Sequence, residues 1–339
     1  MKLISLSEKI LIAGANGMAG RAIHKSLKES GYGDSKKNGS LLTPSRDEID
    51  FSNFKNSKEY FEFHSPSVVI IAAAKVGGIY ANRYYPTEFI LDNLKIQNNI
   101  IENAWKKGVK RLLFLGSSCI YPKYSEQPIR EESLLSSQLE CTNEYYAIAK
   151  IAGIKLCEAL RNQYSFDAIS LMPTNLYGEG DNYHLQDSHV VPALIRKFYE
   201  AKKKNEKSVF CWGTGEPKRE FLHSHDLGSA ALFALENWNP DDDDSPKNSI
   251  TGKALSYINV GTGKDITIKG LAEIIAQKIG YEGIIKWEKI KEDNGTPRKL
   301  LDISRINKLG WKANINLDVG LENTIGDFIR DYNNGLIRK

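Results

Sequence analysis

The feature that most constrains this chain is a glycine loop held between two different periodicities. Lys9-Ile10-Leu11-Ile12-Ala13 is a short apolar run of strand type. Met18 to Ser30 carries Ile23 and Leu27 at the i, i+4 spacing of one helix face. Between them stands Gly14-Ala15-Asn16-Gly17-Met18-Ala19-Gly20, a G-x-x-G-x-x-G pattern. Glycines at a strand-to-helix turn let a diphosphate approach the backbone, and the first N–H groups of the helix meet it unpaired. Glycine turns are common. It is the placement after a strand and before a helix that makes this loop a candidate dinucleotide site.

The alternation continues along the first half. Val68–Ala74 is apolar throughout, as in a parallel strand covered on both faces. A helix is predicted over Asn93–Lys106, a strand over Arg111–Leu115, a helix over Tyr145–Gln163 and a strand over Ala168–Met172. Repeated strand-helix units imply an α/β fold with a doubly wound parallel sheet (Rossmann) over residues 1–178. After Gly178 the pattern loosens. Helices are expected over Val190–Lys203, Leu227–Asn237, Ile266–Ile279 and Leu317–Tyr332, with a short one over Asp302–Trp311. Residues 179–339 thus read mainly as a smaller C-terminal α/β substrate lobe, with the chain returning to the sheet around 220–262. The run Asp241–Asp244 reads as a solvated surface loop.

Charge and cysteine usage narrow the partners. Lys+Arg number 46 and Asp+Glu 42, a net charge of +4, which suits small anionic ligands and requires neither nucleic acid nor a membrane. The longest strongly apolar stretch, Val68–Ala74, is far short of the roughly 20 residues of a membrane helix. Cys119, Cys141, Cys157 and Cys211 form no C-x-x-C pair, so a reduced, cytoplasmic chain is expected. His223-Ser224-His225 has no evident third ligand, and no metal is expected.

Three features carry chemistry. Arg46 follows the expected second strand, where many NAD-binding chains place an acid for the ribose 2′-hydroxyl; an arginine there can pair with a 2′-phosphate, favouring NADP(H). Tyr146-Ala147-Ile148-Ala149-Lys150 puts a phenol and an ammonium on one helix face. The lysine is expected to lower the tyrosine pKa and make Tyr146 a usable proton donor. Ser117 and Ser118 lie just past the strand Arg111–Leu115, at the ligand side of a parallel sheet, where a serine can hold a carbonyl oxygen.

With these residues the chain resembles the extended short-chain dehydrogenases/reductases. The likeness is closest to the branch acting on GDP-4-keto-6-deoxy sugars and runs from about Lys9 to Tyr332. It is carried by Ala72 to Ile79, Leu113 to Pro122, Thr142-Asn143-Glu144, Met172 to Gly178, Ser188-His189-Val190, Arg219 to His223 and Gly295 to Lys299. The resemblance implies Ser117, Tyr146 and Lys150 as a reductase triad, with Cys119 as epimerisation base and His189 as its acid. It implies Ala72, Ala73, Ala74, Pro173, Thr174, Asn175, Leu176, Lys150 and His189 at the cofactor, and Lys197, Trp212, Arg219 and Asn294 at the substrate. Lys197 stands where the family commonly has arginine, Asn294 where an aspartate is usual, and Asn16 where some relatives have arginine. The implied activity is an NADPH-dependent 3,5-epimerase/4-reductase of GDP-4-keto-6-deoxy-mannose, in a cytoplasmic homodimer joined by the helices Asn93–Lys106 and Tyr145–Gln163. The alternatives are a C4 reductase without epimerisation, acting for example on a GDP-4-keto-heptose, a sugar-nucleotide 4-epimerase or 4,6-dehydratase, and a non-catalytic NADP-binding regulator.

Overall fold

The computed structural model describes residues 2–288 and 295–338. In chain order the elements are β1 (Lys9–Ala13), α1 (Met18–Glu29), β2 (Ser40–Leu42), α2 (Phe54–His64), β3 (Val68–Ile71), α3 (Ile79–Tyr84), α4 (Pro86–Lys106), β4 (Arg111–Leu115), α5 (Glu144–Tyr164), β5 (Ala168–Pro173) and β6 (Asn175–Tyr177). They continue with α6 (Val190–Lys203), β7 (Ser208–Cys211), β8 (Lys218–His223), α7 (Ser224–Asn237), β9 (Tyr257–Val260), β10 (Asp265–Thr267), α8 (Ile268–Ile279), β11 (Ile284–Trp287), β12 (Arg298–Lys299), α9 (Ser304–Leu309) and α10 (Leu317–Asn333).

The main sheet is parallel, in the order β2-β1-β3-β4-β5-β9. Successive strand residues alternate between two cores. Leu11, Val69, Leu112 and Phe114 meet Ile100, Ile154 and Leu160 of α4 and α5. Ile10, Ile12, Ile70 and Leu113 meet Ile23, Leu27, Leu227 and Ala231 of α1 and α7. Helices cover both faces, so these strands read as unbroken apolar runs. Each fully buried aliphatic side chain here contributes about 1.5–3 kcal/mol. Gly228 lets α7 approach α1 closely, since a Cβ there would lie 2.4 Å from the Ala22 carbonyl oxygen.

A third core lies between α6, α8 and α10, built on Leu194, Phe198, Leu271, Ile275, Leu321 and Phe328. Beside it β8 pairs with β6, β10 and β12, while β7 pairs with β11.

Several boundaries differ from expectation for local reasons. β3 stops at Ile71, and beyond it Asn93 holds the chain by bonding both the N–H and the carbonyl of Lys75 (2.8 and 3.0 Å). α4 starts at Pro86 and not at Asn93, since proline's fixed φ suits a first helical turn. Asp265–Thr267 is strand, and α8 begins after it with Thr267 as cap, its hydroxyl accepting from Gly270 N–H at 3.0 Å. The Asp241–Asp244 run is not wholly solvated: Arg161 reaches Asp241 at 2.5 Å.

Candidate active site

The carboxyl ends of β1, β3, β4 and β5 open into a cleft of about 470 Å³, faced from the second lobe by Lys197, Trp212 and Arg219. Its sheet side is built for close approach of a ligand to backbone. Gly14 has φ +87°, and a Cβ there would lie 2.5 Å from Ala73 N; one at Gly20 would lie 2.1 Å from Gly14 O. Gly17 caps α1 without a side-chain bond, which leaves the first-turn N–H groups to a ligand. That cradle fits a dinucleotide diphosphate. Gly17, Met18, Ala19, Gly20, Ala72, Ala74 and Pro173 to Leu176 line the cleft. Gly14 and Ala73 pack together beneath them, Ala15 is buried, and Asn16 is exposed. Arg46 is exposed beyond β2, away from the lining of the cleft, with its charge acting on Asp50.

The residues of the expected reductase triad come from the end of β4 and from α5. Ser117 precedes one 3-10 turn, Ser118–Ile120, and its hydroxyl accepts from Cys119 N–H at 3.2 Å. Tyr146 and Lys150 lie one helical turn apart on α5. Lys150 is buried; its Nζ donates to Leu115 O at 2.8 Å and lies 4.8 Å from the Phe114 ring centroid and 5.9 Å from that of Tyr146. Burial brings Lys150 down to about 7. Gln97 of α4 steadies this turn by donating to Ala149 O at 2.6 Å. One expectation is corrected here. Tyr146 is raised, not lowered, because burial dominates and the Cys119 field adds to it, with Ser117 opposing. The lysine is turned to the Leu115 carbonyl, so Tyr146 is a firmly protonated phenol.

A second group of side chains is gathered from remote segments. Cys119 is half-buried, and the buried Lys299 donates to its sulfur at 3.5 Å. His189 stands at the start of α6, open to the cleft; surrounding protein and then the Lys299 charge lower its pKa. Gly78 holds the loop that delivers it: its N–H donates to Asp187 O at 2.8 Å, and a Cβ there would lie 2.6 Å from Ser188 O. Lys299 is delivered by β12, in register with Arg219 of β8. The buried Glu220 ties these parts together. Its carboxylate accepts from Leu301, Thr262 and Gly263 N–H, and its carbonyl accepts from Thr174 Oγ1 (3.2 Å) and Asn175 Nδ2 (2.8 Å).

On the far wall Lys197 donates to Phe210 O at 2.7 Å and lies 5.6 Å from the Trp212 ring centroid. Arg219 donates to Lys218 O at 2.9 Å, and burial brings it down to about 10. Asn294 lies outside the described residues, although Gly295 and Thr296 beside it line the cleft. His223 is turned to its own helix start, its Nδ1 accepting from His225 N–H at 3.3 Å. Among the described residues no group of three or more His, Cys, Asp or Glu could hold a metal. Lys299 and Glu220 were not singled out from the sequence, and only strand pairing reveals what they do.

The sequence pattern of the NAD dependent epimerase/dehydratase family matches residues 10–247. The chain is 46% identical over 328 residues to GDP-L-fucose synthase 1 of Arabidopsis thaliana, covering 97% of this chain and 95% of that one. It is also 46% identical over 328 residues to GDP-L-fucose synthase of Escherichia coli (strain K12), covering 96% and 97%. Among solved structures it is similar to a GDP-mannoheptose C4 reductase from Campylobacter jejuni with NADP bound, at TM-score 0.81 and 32% identity over 96% of this chain and 99% of that one.

Proposed function

The chain belongs to the NAD dependent epimerase/dehydratase family, and within it we propose the reaction of a GDP-L-fucose synthase. The substrate is GDP-4-keto-6-deoxy-mannose, epimerised at C3 and C5 and reduced at C4. The observation that carries the epimerase half is the Cys119–Lys299 contact, in one cleft with His189 and the Ser117–Tyr146–Lys150 group. NADP(H), when bound, supplies the hydride for C4.

The protein's own groups do the rest. A C4 ketone acidifies its neighbouring C–H bonds through an enolate. The sulfur of Cys119 takes the proton, with the Lys299 ammonium beside it as counter-charge. Ser117 and Tyr146 hold the enolate oxygen, and His189 returns a proton to the opposite face. The lowered pKa of His189 makes its cation a stronger acid. At the reduction step Tyr146, still a protonated phenol, gives its proton to the C4 oxygen. Lys197 and Arg219 meet the diphosphate of the substrate and Trp212 its base. Arg46 is the residue available to a 2′-phosphate. The division of labour at residue 178, sheet for cofactor and lobe for substrate, belongs to the same proposal.

A second reading rests on the Campylobacter jejuni reductase, a C4 reductase of similar fold. Here the Tyr146 centre would act without epimerisation. Dehydration is disfavoured because Cys119-Ile120 stands where dehydratases place an Asp-Glu pair. Deuterium wash-in in heavy water without NADPH separates the first two. Label is expected at C3 and C5 of GDP-4-keto-6-deoxy-mannose, and its absence sinks the epimerase claim.

The assembly is proposed as a cytoplasmic homodimer through α4 and α5, which leave Leu91, Tyr145 and Ile148 exposed. Sedimentation at the mass of one chain would refute the dimer. A reducing compartment suits the free thiol of Cys119.

A further inference from the structure

The loop from β6 to α6 holds a carboxyl group that the reaction above does not use. Asp181 lines the cleft and is 4% exposed. One oxygen accepts from Asn182 N–H at 2.7 Å, while Oδ2 has no partner among the described residues. Burial lifts this carboxyl to about 7, and the Arg338 charge pulls the other way.

Arg338 reaches this place from the far end of the described chain. Gly335, at φ +68°, turns the backbone out of α10. Leu336 N–H then bonds Asp331 O at 2.8 Å, and Ile337 packs on the third core. The Arg338 carbonyl accepts from Tyr183 N–H at 2.9 Å, so the segment is strapped across the loop by its main chain. The guanidinium of Arg338 makes a long contact with Gly180 O (3.4 Å) and lines the cleft. The other side of Gly180 faces α1: a Cβ there would lie 3.2 Å from Arg21 Nη1. Arg21 belongs to the second turn of the helix whose first turn follows the glycine loop, and that first turn holds no acidic residue. Two guanidinium groups thus flank Gly180 beside the same helix start. The neighbouring Asp181 carboxyl, on which the Arg338 charge acts, has a free oxygen to hold that guanidinium.

We propose that residues 336–338 form a strap over the bound dinucleotide, with Arg338 pairing to its diphosphate and Asp181 positioning the Arg338 guanidinium. The inference rests on the cofactor reading above. A GDP-sugar also carries a diphosphate, but Arg21, which faces Gly180, belongs to the helix that follows the glycine loop, and this favours the dinucleotide. Arg338 is exposed and its strap is held through the backbone, so Arg338→Ala removes the charge and leaves the fold.

The test is calorimetric titration of the whole chain with NADPH and, separately, with GDP. Arg338→Ala is expected to raise the NADPH dissociation constant about tenfold, as loss of one charge-assisted contact does, and to leave GDP within about twofold. Arg338→Lys should recover part of the loss. Asp181→Asn should weaken NADPH less, and add nothing in the Arg338→Ala background. Unchanged NADPH binding overturns the strap. Weakening of GDP, alone or equally, overturns its assignment to the dinucleotide. If the unaltered protein binds no NADPH, the cofactor reading falls and the strap with it. An additive effect of Asp181→Asn refutes the positioning role.

Discussion

The two halves of the cleft are built in different ways. The half proposed for reduction is nearly continuous in the chain. Ser117 follows β4 directly, and Tyr146 and Lys150 share one turn of α5, pinned by Gln97 and by the Leu115 carbonyl. The half proposed for proton transfer is assembled. Cys119, His189 and Lys299 come from three segments, and they meet because Gly78 clasps Asp187 and β12 pairs with β8. The first arrangement gains precision from a buried helix and a strand end. The second gains it from loop-to-loop hydrogen bonds, which makes it the more easily displaced.

That contrast can be broken by separating the two activities. Tyr146→Phe removes the proton donor and should cut C4 reduction by about 10²–10⁴-fold, while isotope exchange at C3 and C5, which keeps Ser117 at the enolate oxygen, should slow much less. Cys119→Ser should do the reverse, abolishing exchange while an already epimerised ketone is still reduced. If either variant loses both activities alike with its fold intact, the two halves are one unit and the comparison fails. A smaller effect belongs to the cofactor side. Arg46→Ala should lower the preference for NADPH over NADH about tenfold, through loss of one charged phosphate contact, and should leave exchange untouched. An unaltered preference in steady-state rates would place 2′-phosphate recognition elsewhere.

The smallest effect concerns stability. Lys150 sits near 7 in the folded chain, against about 10.4 for an unfolded lysine. Between those values the unfolded chain holds a proton that the folded chain lacks, so this group makes stability rise with pH. Below about 7 both states carry the proton and its contribution is flat. The melting temperature of the unaltered protein relative to Lys150→Met should therefore climb by about a few degrees from pH 7 to pH 9. A constant difference would show that the buried ammonium is better solvated by Leu115 O and Phe114 than its burial implies.

What was legible in the sequence follows the same divide. The glycine loop, Ser117 and the Tyr146/Lys150 pair are read from spacing, because each depends on one strand end or one helical turn. The second lobe was harder. β8 escaped notice because it carries Arg219 to the cleft and Glu220 inward to backbone N–H groups, which destroys an apolar period. Lys299 stands in the sequence beside Arg298 with no local signal of burial, yet it is buried against Cys119. The tyrosine pKa was misjudged because i, i+4 spacing says that two groups share a face. It does not say which neighbour the ammonium faces.

The sequence by itself determined the parallel sheet, the cofactor turn and the reductive pair, since these rest on interactions within a few residues or on a two-residue strand period. Tertiary structure alone decided that Lys299 meets Cys119, that Glu220 binds three loops, and that Arg338 returns to Gly180 and Tyr183 beside Asp181. Those contacts join residues 42 to 180 positions apart, on segments whose course is set by their neighbours. No local periodicity records them, because the energy that fixes them comes from burial and hydrogen bonding after the chain has closed.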